Sequence, residues 1–394
     1  MTKEVSVLLV GIGGYGNMYA KTLLESTDVS AYVKGVVEIN PKHAPAYQTI
    51  MDKNIPIYNS IEDFYEEQEA DLAIISTPIH LHKDQACYAM EHGSHVLCEK
   101  PVTANPEHLT EMKKSRDKTG KFLAIGFNWS FTKSVQSLKQ DILNGEFGKP
   151  LSMKSLVLWP RNEDYYNRSS WAGKKYSANG DMIFDSVANN ATAHFLHHLF
   201  YLSGEKIDQS ATIQSLTAEL YRANPIETFD TCAVKIKTTN NVDITYLASH
   251  AVEKEYRPKY TLTFENAMIK YHPDGSTSDI IVEFKDGTVK KYEDPEHNHL
   301  EKLTVCIEAI KHNHKDILCG LEAASSHVNA IYAMHQSVKE IPVFPNHWIA
   351  YDDERKLTTV QGLSETLKQC YRQESLPNEL GVEWSEIGET ITFS

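Results

Sequence analysis

The stretch VSVLLVGIGGYGNM, residues 5–18, decides how the rest of the chain is read. A six-residue apolar run leads directly into Gly11, Gly13 and Gly16, with Gly14 and Tyr15 between them, and a helical pattern begins at Gly16. This is G-x-G-x-x-G between a strand and a helix. The glycines allow a tight turn, close approach of the backbone to a pyrophosphate and close helix–strand packing, and the helix N-terminus then faces the phosphates. Glu38 ends the second apolar run, 22 residues after Gly16. A carboxylate there accepts hydrogen bonds from ribose hydroxyls and repels a 2′-phosphate, which favours NAD over NADP.

Working outward, apolar runs recur at 32–39, 70–77, 94–101 and 121–128, separated by helical patterns such as DQACYAMEHG and PEHLTEMKKSRDKTG. Near-continuous Val/Ile/Leu runs alternating with helices predict a parallel sheet covered on both faces. After about residue 125 the rhythm changes. A segment rich in Trp, Tyr, Arg and Asn is followed by a helical pattern at 187–203, then by strand-like runs with hairpin signals at Asn240–Asn241 and Asp286–Gly287. Helical patterns return at about 298–312 and 320–339. The expected class is α/β: a dinucleotide-type domain over 1–125, an α+β domain with a large, mostly antiparallel sheet over 126–350, and a polar tail, 351–394, with one short helix near 361–373.

A net charge of −14 argues against nucleic acid or an anionic membrane as partner. The six cysteines show no C-x-x-C spacing. With neither a signal-peptide layout nor a long apolar span, they read as reduced thiols of a cytoplasmic protein.

The stretch STPIHLHKDQACYAMEHGSHVLCEKPVT, residues 76–103, resembles the signature of the glucose–fructose oxidoreductase/inositol dehydrogenase (Gfo/Idh/MocA) family. Thr77, Pro78 and His82 match its Thr-Pro turn on the nicotinamide side, and Glu99, Lys100 and Pro101 match its Glu-Lys-Pro. The resemblance implies an NAD-dependent dehydrogenase in which Lys100 polarises the substrate oxygen. It also implies a homodimer or homotetramer, because relatives pair the second-domain sheets face to face and strands such as CAVKIK must hide an outer face.

The resemblance also reads the stretch FDSVANNATAHFLHH, residues 184–198. The family's proton acceptor is a histidine ten residues before a helix-ending glycine and four after an aspartate. Here Gly204 assigns that role to His194, and Asn190 stands at the aspartate position, on the same helical face as His194. Asn190 can orient the ring or bond the substrate, but it carries no charge. Asp185 either compensates for the missing charge or caps the helix, with Ser186 as the rival cap. His197 is a further substrate candidate. His194 and His197 could face one metal ion, but there is no H-E-x-x-H and no acidic partner at useful spacing, so no metal is expected. His250 and His327 are weaker candidates for the site, each read as a structural histidine. The segment LWPRNEDYYNRSSWAGKKYSANGD, 158–181, supplies flat aromatic faces and polar donors suited to a sugar ring: Arg161, Tyr165, Tyr166, Arg168 and Trp171, the arginines suited to a carboxylate or phosphate. Two rival readings keep the cofactor. In one, tightly held NAD oxidises the sugar transiently and a group is eliminated, giving net hydrolysis or lyase chemistry. In the other, the chain is a non-catalytic NAD-binding regulator.

Overall fold

A computed structural model describes residues 4–26, 30–272 and 278–393. The chain divides into two units, one holding the described residues up to Thr132 together with Asn298–Ala324, the other Lys133–His297 and the chain from Ser325 onward.

The first unit is built on strands β1 (Val5–Val10), β2 (Ala31–Val37), β3 (Ile57–Tyr58), β4 (Leu72–Ile75), β5 (His95–Cys98) and β6 (Leu123–Ile125), all parallel, in the order β3-β2-β1-β4-β5-β6. Every residue of β1 and of β4 is buried. This burial explains why their sequences show no polar alternation. Helices α1 (Gly16–Glu25), α2 (Tyr47–Asp52), α3 (Ile61–Glu67), α4 (His82–Glu91) and α5 (Pro106–Thr119) connect the strands. The strand order reverses between β1 and β4. In an open α/β sheet the carboxyl ends of two such strands bound the ligand crevice.

The second unit carries α6 (Lys133–Leu143), β7 (Pro150–Leu158), α7 (Glu163–Tyr166), α8 (Ala193–Ser203) and β8 (Ile213–Tyr221). Strands β9 (Thr231–Thr238), β10 (Asp243–Ser249), β11 (Tyr256–Phe264), β12 (Ala267–Tyr271), β13 (Ile280–Phe284) and β14 (Val289–Tyr292) follow. The chain then runs through α9 (Glu301–Lys311), α10 (Leu321–Ser337), the hairpin β15 (Ile349–Asp352) and β16 (Leu357–Val360), α11 (Leu363–Gln373) and β17 (Ile391–Thr392). Nine strands form one sheet in the order β14-β13-β12-β11-β7-β10-β9-β8-β17, antiparallel except for β7 beside β10. Both expected hairpin turns are present, with Asn241 and Gly287 at positive φ, as such turns require.

Three expectations need correction. Residues 298–324, assigned by sequence to the second domain, fold with the first unit, where α9 packs on β1 and β5. A single chain pass through two cores leaves no local mark at the crossing. Helix α8 begins at Ala193, not 187, so Asn190 lies in the preceding turns. There Thr192 Oγ1 donates to the Val187 carbonyl, and the Asn189 side-chain amide donates to the carbonyls of Ile183 and Phe184. Such bonds compete with helical ones. Finally, the tail, expected to be polar with one short helix, has that helix but packs through its apolar residues. Leu363, Leu367, Cys370 and Tyr371 of α11, with Leu376 and Trp384 beyond it, pack on Leu156, Ala233 and Leu247 of the sheet. Side chains alternate along β10, so Tyr246 faces α8, its hydroxyl beside Thr192, while Leu247 faces the tail. The outer face expected to lie against a second subunit is, over these strands, covered by the chain's own C-terminal segment.

Candidate functional site

In the first unit the glycine loop, Glu38 and the Thr77 turn converge on one groove of about 530 Å³, lined by Gly11, Gly13, Glu38, Thr77 and Pro78 among others. A Cβ at Gly16 would lie 2.2 Å from the Gly11 carbonyl oxygen, so only glycine lets α1 start this close to the loop. A Cβ at Gly13 would meet nothing within 4 Å, which leaves that side of the loop open for a ligand. The Glu38 carboxylate accepts from Ile12 N at 3.1 Å and from Asn40 N at 3.0 Å, so it stands at the mouth of the loop. The phenol of Tyr15 lies 3.5 Å from Asn128 Oδ1, turned toward that residue.

The resemblance puts His82 on the nicotinamide side, where it would touch the cofactor. His82 is instead 1% exposed, with Nδ1 2.9 Å from the Pro101 carbonyl oxygen and Nε2 2.8 Å from that of Thr77. It ties the Thr-Pro turn to the Glu-Lys-Pro turn from behind, and burial lowers its pKa. Glu99 is likewise behind the groove, 7% exposed. Its Oε1 accepts from Tyr19 Oη at 2.6 Å and from Lys302 Nζ at 2.5 Å, and its Oε2 accepts from the backbone N–H of Lys100 at 3.2 Å. The Lys100–Pro101 peptide is cis. Sequence reasoning missed Lys302. The available signal was a lysine one turn before Cys306, on the buried face of α9.

In the second unit the three helix histidines separate by exposure. His197 and His198 are 2% and 1% exposed. Burial pushes His197 well below the usual imidazole value and His198 down to about 3. His197 stacks on Tyr201 and His198 lies against Tyr260. These are neutral packing residues, so the assignment of His197 to substrate does not hold. His194, at the helix start, is half-buried, as is Asn190. The upstream aspartate neither caps α8 nor reaches solvent. Asp185 Oδ1 accepts from Asn190 Nδ2 at 2.7 Å, and Oδ2 accepts from Arg168 Nη2 at 2.8 Å and Gly173 N at 2.7 Å. Ser186 Oγ accepts from Asn189 N, outside the helix.

Arg168 is therefore a strut, with its other nitrogen on the Tyr165 carbonyl and its guanidinium over the Tyr165 and Trp171 rings. Arg161 has no carboxylate at ion-pair distance among the described residues. It lies over Trp159 and Tyr165, beside His250. His250 Nδ1 donates to the Trp159 carbonyl at 2.7 Å, which leaves Nε2 as an acceptor, and burial lowers its pKa to about 3. Five buried polar atoms in this region lack any protein partner: Trp159 Nε1, Arg161 Nε, Tyr166 Oη, Ser169 Oγ and His250 Nε2. Buried polar groups are ordinarily satisfied, so these atoms are available to hydrogen-bond water or a polar ligand. His327 is fully buried against the Ala188 carbonyl. Among the described residues no group of three or more His, Cys, Asp or Glu could hold a metal ion, and no helix is long and apolar enough to cross a membrane.

This architecture is a Rossmann-type dinucleotide-binding fold with a second α+β domain, and the sequence comparisons agree. Residues 5–127 match the oxidoreductase family with an NAD-binding Rossmann fold, and residues 135–270 match the GFO/IDH/MocA C-terminal domain. The chain belongs to the GFO/IDH/MocA family. It is 31% identical to the glucose-6-phosphate 3-dehydrogenase of Bacillus subtilis over 147 residues, 37% of this chain and 40% of the relative. It is 23% identical to the 2,7-anhydro-N-acetylneuraminate hydratase of Mediterraneibacter gnavus over 201 residues, 51% of this chain and 48% of the relative. The chain thus spans about half or less of the length of these curated relatives. In fold it is similar to the WlbA dehydrogenase of Bordetella pertussis, solved with NADH and UDP-GlcNAcA (TM-score 0.68, 19% identity, 84% of this chain and 97% of that one). It is also similar to the scyllo-inositol dehydrogenase of Lactobacillus casei (TM-score 0.66, 16% identity, 85% and 96%).

Proposed function

We propose that this chain is an NAD-dependent oxidoreductase acting on a secondary hydroxyl of a sugar, polyol or sugar acid. The observation that carries the reading is the groove at the carboxyl ends of β1 and β4, where the glycine loop, Glu38 and the Thr77–Pro78 turn meet. The shape of the loop and the carboxylate at its mouth suit NAD. Gly11, Gly13, Gly14 and Gly16 would hold the pyrophosphate and Glu38 the adenosine ribose. NAD, when bound, supplies the hydride acceptor. Lys100 stabilises negative charge developing on the substrate oxygen. His194 takes the hydroxyl proton as general base. Asn190, itself oriented by Asp185, orients the imidazole. Trp159, Arg161, Tyr165, Tyr166 and His250 offer both donors and an acceptor, as a polyhydroxylated substrate requires.

The test is NADH absorbance with NAD and a panel of sugars, inositols and sugar acids, repeated with Lys100→Ala and His194→Ala. NADH formed by the wild type and lost in both variants supports the reading. The hydratase among the relatives motivates one alternative, elimination with retained cofactor. Product release without stoichiometric NADH would favour that alternative.

A further inference from the structure

We propose that Lys302 is a positioning residue for the Glu-Lys-Pro turn: a buried cation that neutralises Glu99 and fixes it as the anchor of the Lys100 backbone. This inference rests on the reading in which Lys100 acts on the substrate oxygen.

Lys302 has no exposed surface, and an unpaired ammonium in such a place costs several kcal/mol. Its Nζ donates to Glu99 Oε1 at 2.5 Å and to the Gly126 carbonyl at 3.2 Å, and lies 4.5 Å from the centre of the Tyr15 ring. Glu99 has no room to move away. Tyr19 donates to the same oxygen, and a Cβ at Gly126 would lie 2.7 Å from the Glu99 carboxylate. The other oxygen of Glu99 is the one that accepts the Lys100 N–H. The chain of contacts therefore runs from α9 through Lys302 and Glu99 to the backbone of Lys100. The titratable groups facing this pair are Tyr15 from the glycine loop, Tyr19 from α1, His82 from α4, Cys98 from β5, Cys306 from α9, and Cys319. Burial raises Tyr19, Cys98 and Cys306 and lowers His82 and Lys302, Glu99 opposes that lowering in Lys302, and the Lys302 ammonium at 2.5 Å is the cation paired with Glu99.

A tie that served only to hold α9 in place could be replaced by an apolar pair at little cost to Lys100. A positioning role predicts an asymmetry: breaking the pair is worse than removing it. The experiment compares Lys302→Met, Glu99→Gln, Lys302→Met/Glu99→Gln and Lys302→Arg in the full chain. It reads the pH profile of kcat/KM and the pH dependence of Lys100 acetylation by isotopically labelled acetic anhydride. In Lys302→Met we expect kcat to fall by about tenfold or more, with little change in the KM for NAD, as for a misplaced catalytic group. The Lys100 labelling midpoint should rise by about one pH unit beside the unbalanced carboxylate. In the double variant the midpoint should return toward the wild-type value, and Lys302→Arg should retain most of the turnover. Loss of thermal stability with an unchanged Lys100 midpoint and unchanged pH profile would overturn the proposal and leave Lys302 as a packing tie. If Lys302→Met fails to fold, Glu99→Gln and the double variant decide: equal midpoints in both, identical to wild type, overturn it. If the wild type turns over no sugar, the dehydrogenase reading fails, and the labelling midpoints still decide the role of Lys302.

Discussion

Glu38 and His194 carry the sharpest consequences for single residues. The Glu38 carboxylate stands at the glycine loop, where it would bond one or two ribose hydroxyls. Removing a hydrogen bond to a charged group costs about 1.5–3 kcal/mol, or tenfold and more in affinity. Glu38→Ala is therefore expected to weaken NAD about tenfold and to narrow the preference for NAD over NADP, measured by calorimetric titration of both nucleotides. Undiminished NAD preference in that variant would place the discrimination elsewhere. If His194 is the general base proposed above, His194→Ala is expected to lower kcat by about 10²–10⁴, the range such a group contributes, at little cost in stability, since His194 is half-buried. The proposed role of His194 rests on the family pattern, a histidine ten residues before the helix-ending Gly204. The roles of its neighbours were not legible in the sequence. His197 follows three residues later on the same helix, yet faces the interior, because burial depends on what packs against each side of α8.

At the scale of the element, α8 brings two neutral histidines into a hydrophobic interior. The folded state refuses a proton at His198 until about pH 3, whereas the unfolded chain accepts one near 6.5. The unfolded state therefore binds more protons between those values. Stability falls as pH drops through that window, by up to about 1.4 kcal/mol per pH unit for each such histidine. His250 and His335, also lowered to about 3, act in the same direction. Urea midpoints at pH 7 and pH 5 should show this loss, and His198→Phe should reduce the slope between them. An unchanged slope would mean that His198 is protonated in the fold. The element boundary of α8 was the least legible feature. Apolar periodicity runs back to Val187, but Asn189 and Thr192 divert the backbone bonds, and that contest is settled by contacts with Tyr246 and the carbonyls of 183 and 184.

At the scale of the whole molecule, strands β7 to β10 of the second unit are covered on the side away from α8 by the chain's C-terminal segment. Leu363 and Leu367 are fully buried there, each contributing about 2 kcal/mol. Polar ties reinforce the cover: Lys154 to Glu374 at 2.9 Å, Thr261 to Tyr371 at 2.8 Å, and Asn378 N to Glu219 at 2.9 Å. The double substitution Leu363→Asp/Leu367→Asp should release the segment and expose Leu156, Ala233 and Leu247. An exposed apolar patch of that kind favours association. Light scattering after size exclusion is expected to show a higher mass for the variant than for the wild type. Equal masses with unchanged stability would mean that the segment is not the cover described.

What the sequence by itself determined is the part governed by near neighbours in the chain. The glycine loop, the run of parallel strands and the hairpin turns follow from spacing and turn chemistry, and the roles proposed for Glu38, Lys100 and His194 rest on spacing and family pattern. Only the tertiary structure decided which long-range partners meet. Lys302 reaches Glu99 across 203 residues, and α11 packs on strands β7, β9 and β10, which lie more than a hundred residues before it. Such pairings follow from the filling of a shared core. The free energy of burial depends on the total surface withdrawn from water, and no local stretch of the chain records which distant surface will cover it.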